Sequence, residues 1–225
     1  MRYLVLASLL SFVMCGSSVA QEASKTGIVI DKENKAVRIE AKIAPRKLPN
    51  LDQVYPIEVI ASWAAPKGKK AHETVLIFEV NPSEIHKALE SLGLKPGKPA
   101  KGEGTKAEGP EVAVFIEIKS ADGSVRKLPI SRVLIDPKTK KPMPASVKFV
   151  FTGSVQTQVD PNKPEKIYGA DASGTLIALF PVTDETVLQT SLTMKEEPYL
   201  KMDTNKDILP KEGTPVTLII ELANK

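Results

Sequence analysis

The chain has 225 residues, 42% hydrophobic and 26% charged, with 31 Lys and Arg against 27 Asp and Glu for a formal charge of +4. This is globular composition for one large domain or two small ones, and its 18 Pro, 13 Gly and 5% aromatics favour short strands and loops over long helices. Basic and acidic side chains are interspersed, and the basic ones are not interleaved with aromatics as a single-stranded nucleic-acid platform needs, so no nucleic-acid partner is expected.

The first twenty residues read as a leader. Arg2 supplies the positive start, Leu4 to Met14 an apolar run of eleven, and Ser18-Val19-Ala20 a small-residue cleavage site that leaves Gln21 first. The run is too short to span a bilayer, which takes ~20 residues, and no later stretch is long enough, so the protein is not expected to be transmembrane. Cys15, followed by Gly16-Ser17-Ser18, is similar to a lipoprotein signal. Met14 stands where that signal wants a small residue, so ordinary cleavage near Ala20 is preferred to a lipid anchor at Cys15. The expected location is periplasmic or secreted. Cys15 is the single Cys, so no disulfide forms and a hydrophobic core must hold the fold.

Gly27 to Asp31 and Ala36 to Ile43 read as paired strands. In the second, Val37, Ile39, Ala41 and Ile43 alternate with Arg38, Glu40 and Lys42, which puts one face in a core and the other in water. Ile57 to Ala65 is the next strand. After a turn at Pro66 to Lys70, His72 to Val80 is expected to return antiparallel as a hairpin. A helix follows. Asn81 fits its N-cap, Pro82 its first position and Glu84 the reciprocal place of a capping box. Ile85, Ala88, Leu89 and Leu92 form its apolar stripe, and Gly93 fits the position just past its end.

Residues 95–110 (KPGKPAKGEGTKAEGP) are polar and low in complexity, and read as a flexible loop. Glu111 to Lys119 is a strand turned by Asp122-Gly123 into a partner at Val125 to Leu128. Val147 to Thr152, Thr175 to Phe180 and Pro215 to Leu222 complete the strands, and Asp184 to Ser191 reads as a short helix or loop. The expected fold is mainly β, or α+β: an antiparallel sheet or sandwich with one short capped helix packed on it, in a single exported domain over 21–225.

Lys69-Lys70-Ala71-His72-Glu73-Thr74, then Ile85-His86-Lys87-Ala88-Leu89 and Leu92-Gly93-Leu94-Lys95-Pro96-Gly97, resemble the hallmarks of the bacterial YdjY-domain family. Phe151-Thr152-Gly153-Ser154 and Asp171-Ala172-Ser173-Gly174 are similar to its distal motifs. The likeness runs from about Lys25 to Leu192 and implies kinship without an activity. Some members are labelled ferredoxin-like. Iron–sulfur clusters need several Cys ligands, and the chain after cleavage has none.

His72, Glu73 and His86 are the candidate site, because imidazole and carboxylate suit a divalent metal or acid–base work. On a regular strand His72 and Glu73 point to opposite faces. His86 lies on the flank of the helix stripe, where it can reach toward the hairpin. The ordinary alternative for each His is a hydrogen-bonded residue at the core's edge. Asp203-x-Asn205-x-Asp207 has Ile208 and Thr214 where a calcium loop needs Gly and Glu, so it reads as a polar turn. No nucleophile elbow or phosphate cradle occurs. The expected function is an exported soluble binding or interaction module with no catalytic motif and no cofactor, its partner an unknown ligand or periplasmic protein. The alternative is a metal-binding protein or metal-dependent enzyme using His72, Glu73 and His86.

Overall fold

Period-two patterning does produce a strand-rich fold, and its sheet closes on itself. The computed structural model describes residues 27–120, 122–198 and 200–223; the leader, its cleavage site and Cys15 lie outside them. The strands are β1 (Ile28–Asp31), β2 (Ala36–Ile43), β3 (Val59–Trp63), β4 (Thr74–Phe78), β5 (Glu111–Lys119), β6 (Val125–Pro129), β7 (Leu134–Ile135), β8 (Phe149–Phe151), β9 (Gln156–Gln158), β10 (Lys166–Tyr168), β11 (Thr175–Ala178), β12 (Leu188–Thr190), β13 (Asp203–Thr204) and β14 (Pro215–Leu222). The helices are α1 (Pro82–Ser91), α2 (Ile130–Val133) and α3 (Gly169–Ser173).

Among the described residues ten strands form one sheet. Eight of them run in the order β2, β14, β5, β8, β12, β11, β3, β4, and β4 returns to β2 through Ala41 opposite Phe78. Closure satisfies edges that an open sheet would expose. β1 and β6 extend β2 and β5. The last strand in sequence is central in space, between β2 and β5, which is why PVTLIIEL is nearly continuous in apolar residues. Val37, Ile39, Leu218, Ile220 and Ile116 are buried in one core cluster, to which α1 adds Ile85, Ala88 and Leu89. No helix among the described residues is long and apolar enough to cross a membrane.

The expected hairpin between β3 and β4 does not form. The two strands pair in parallel, with Val59 opposite Thr74 and Trp63 opposite Phe78. A two- to five-residue turn would have folded the chain back on itself. Instead residues 64–73 make a longer excursion. Gly68 donates to the Ala64 carbonyl at 2.9 Å, Lys69 to that of Ser173 at 2.9 Å, and Ala71–Glu73 form one 3-10 turn. The chain thus returns to the start of β3 and runs alongside it. Gly174, with φ +73°, sits on Trp63, and a Cβ there would lie 2.7 Å from the indole ring. This packing admits only glycine.

The stretch 95–110 is not a free loop. Lys98 and Glu108 exchange backbone bonds of 2.9 and 3.0 Å, and Gly97 donates to the Phe151 carbonyl at 3.0 Å. Gln189 clamps both backbone groups of Ala100, at 2.7 and 2.9 Å. A Cβ would lie 2.0 Å from the Glu108 carbonyl oxygen at Gly97 and 2.1 Å from that of Phe151 at Gly109, so these two glycines permit close backbone approach. Residues 188–190 form a strand, β12, parallel to β11.

Candidate functional site

The 3-10 turn decides the fate of His72 and Glu73. Strand geometry would have sent them apart; the turn brings His72 Nε2 within 3.0 Å of Glu73 Oε1. The other Glu73 oxygen accepts from Lys70 Nζ at 2.8 Å, and Lys70 also reaches Glu58 Oε2 at 3.2 Å. The edge of the His72 ring meets Tyr55, centroids 5.1 Å apart. Glu58 and Glu73 therefore form a carboxylate pair that the sequence did not reveal, with one ammonium between them. Burial, and then the charge of Glu73, push the Glu58 carboxyl above its usual range. Burial works against the Lys70 ammonium, but the bond and charge of Glu73, with those of Glu58, raise its pKa.

This gives a signed pH dependence. A carboxyl whose folded pKa is raised above its unfolded value adds stability at low pH and loses it as pH rises through the folded pKa. Glu58→Gln, neutral throughout, is therefore expected to gain stability relative to wild type between about pH 4 and about pH 7. Urea unfolding at the two pH values checks this. A variant that loses ground as pH rises would show that attraction to Lys70 outweighs burial.

His86 lies in a different set of contacts. Its Nδ1 shares a 2.7 Å hydrogen bond with the Tyr168 hydroxyl, and its Nε2 is 3.5 Å from Glu90 Oε1 one helical turn on. Burial, then the charges of Asp171 and Glu90, raise the Tyr168 phenol well above its ordinary pKa, so it stays protonated. The His86 ring packs edge-on against Phe151, centroids 5.0 Å apart. A Cβ on Gly153 would lie 2.8 Å from Pro96 and 3.3 Å from His86 Cε1. Three of the segments that carry the family resemblance, 85–97, 151–154 and 171–174, thus meet at α1, and Lys69 bonds to the last of them at the Ser173 carbonyl. Among the described residues His86 and His72 share no hydrogen-bond or ring partner. Among the described residues, no group of three or more His, Cys, Asp or Glu side chains is placed to hold a metal ion.

The same region supplies the helix cap, from an unexpected residue. The Asn81 side chain makes no capping bond. Asp171, on α3, accepts from the Ser83 backbone N–H at 2.8 Å, the donor that an N-cap side chain normally takes, and its charge faces the positive helix end. Asp171→Ala is expected to cost about 1 kcal/mol. Asn81→Ala should stay within about 0.5 kcal/mol of wild type. Chemical unfolding of the two variants separates them, and equal losses would return the cap to Asn81.

A third feature had no signal in the sequence. A cavity of about 490 Å³ is lined by apolar Ile43, Ala44, Leu209 and Pro210 and by polar Arg46, Thr204, Lys206, Lys211 and Glu212. Arg46 is only 7% exposed. Its Nε donates to Asp203 Oδ1 at 2.9 Å, its Nη2 to the Tyr55 carbonyl, and its backbone N–H to Glu212 Oε1 at 2.9 Å. Nη1 is buried without a partner. The polar turn Asp203-x-Asn205-x-Asp207 thus supplies a counter-charge, and Asp203 itself is in β13. Tyr55 joins this cavity to the His72 cluster through its carbonyl and its ring. A lone Arg between two prolines fits no motif, and only its eventual burial marks it.

The YdjY domain family model matches residues 28–221, and the chain belongs to that family. No curated protein and no solved structure matches the chain.

Proposed function

We propose that this YdjY-domain protein is an exported binding module that takes a small molecule into the cavity beside Arg46. The observation that carries the reading is the cavity itself: an apolar wall next to a buried guanidinium. Concave, mostly apolar sites with a few placed polar groups are where small ligands bind. The other polar clusters support the reading by contrast. Both Glu73 oxygens, the Lys70 ammonium and both His86 nitrogens face protein partners. Export rests on Arg2, the apolar run from Leu4 to Met14 and Ser18-Val19-Ala20.

The test uses N-phenyl-1-naphthylamine, a neutral dye whose fluorescence rises in apolar surroundings. It should bind the mature protein with saturation. Leu209→Trp, which fills the cavity, should abolish the signal, while His72→Ala and His86→Ala keep it. Dye binding that survives Leu209→Trp, or that is lost with either His, would count against this site.

A further inference from the structure

We infer that the cavity selects a small amphipathic anion, an apolar body carrying one anionic head group. The inference rests on the binding reading above and adds the ligand class. Three cationic side chains, Arg46, Lys206 and Lys211, line the cavity. Among the described residues Lys206 and Lys211 form no ion pair, so neither is neutralised locally. The carboxylates at the site are engaged: Asp203 with Arg46 Nε, and Glu212 with the Arg46 backbone N–H. Three cations against two carboxylates leave the site positive.

The buried Arg46 Nη1 carries N–H donors with no acceptor. A guanidinium is always charged, and its nearby positive charge favours an anionic oxygen in the cavity. Apolar Ile43, Ala44, Leu209 and Pro210 line the same cavity and offer nothing to a bare, fully hydrated ion. An apolar tail loses water against them while its head group meets the two lysines beside the buried Arg46 charge.

The experiment compares two dyes of one skeleton on the mature protein: 8-anilinonaphthalene-1-sulfonate and the neutral N-phenyl-1-naphthylamine. The sulfonate should bind at least about tenfold more tightly. Lys206→Gln/Lys211→Gln, at exposed positions that leave the fold intact, should remove most of that advantage without weakening the neutral dye. Octanoate should displace the sulfonate dye, and inorganic phosphate should not. Equal affinity for the two dyes, or displacement by phosphate as effective as by octanoate, overturns the ligand class while the binding reading stands. Failure of both dyes to bind overturns the binding reading and this inference with it.

Discussion

Leu89→Ala is expected to destabilise the protein by about 2–5 kcal/mol. Leu89 is fully buried in the core cluster with Ile85 and Ala88 of the same helix. The loss combines the transfer free energy of the deleted atoms with the cavity they leave. The Leu89 carbonyl accepts from Leu92 and Leu94, at 3.2 and 3.3 Å, which ties its backbone to the end of α1. Leu92, only partly buried, should cost less when truncated. Urea unfolding of both variants gives the comparison, and a Leu89 loss under about 1 kcal/mol would mean that α1 does not dock on the sheet.

Asp203→Ala is the second large effect, expected at about 3 kcal/mol. It removes the carboxylate from a guanidinium that is 7% exposed and already has one unpartnered nitrogen. Breaking a buried pair from one side costs more than deleting both members, because it leaves a buried charge uncompensated. The Asp203 side chain is 33% exposed, so water relieves part of the loss and the lower end of the usual range applies. The double variant Arg46→Met/Asp203→Ala should be more stable than Asp203→Ala alone. If the double variant is the less stable, the Arg46 charge is not the source of the cost.

These residues show what local pattern can and cannot report. The end of α1 was legible because its signal is local. Gly93 donates to the Glu90 carbonyl at 2.8 Å and Leu94 to that of Leu89 at 3.3 Å, the bonding that a glycine past the last turn permits. The start was legible in position and wrong in chemistry, since Asp171, 88 residues away, supplies the cap. Strand positions followed from alternation in β2 and β5, but alternation tells which face a side chain takes and not which neighbour a strand takes. The parallel pairing of β3 with β4 therefore needed the path of residues 64–73. β12 was missed because Leu188, Gln189 and Thr190 are all buried, which erases the alternation.

The candidate site divides in the same way. His72 and Glu73 were singled out by residue type, but their contact depends on a 3-10 turn that strand periodicity hid. Glu58 and Lys70 join them only through tertiary pairing, and His86 turned out to serve Tyr168 and Phe151. Arg46 lay in a segment marked only by Pro45 and Pro49. Its partner Asp203 stands 157 residues further on, beyond the reach of any spacing rule.

The most direct test of the central claim is a residue-resolved amide NMR titration of residues 21–225 with octanoate. Binding in the cavity predicts saturable shifts centred on Ala44, Arg46, Thr204 and Leu209, with the helix around His86 unmoved. Shifts centred on His72 or His86, or no saturable shift at Arg46 and its neighbours, would contradict it.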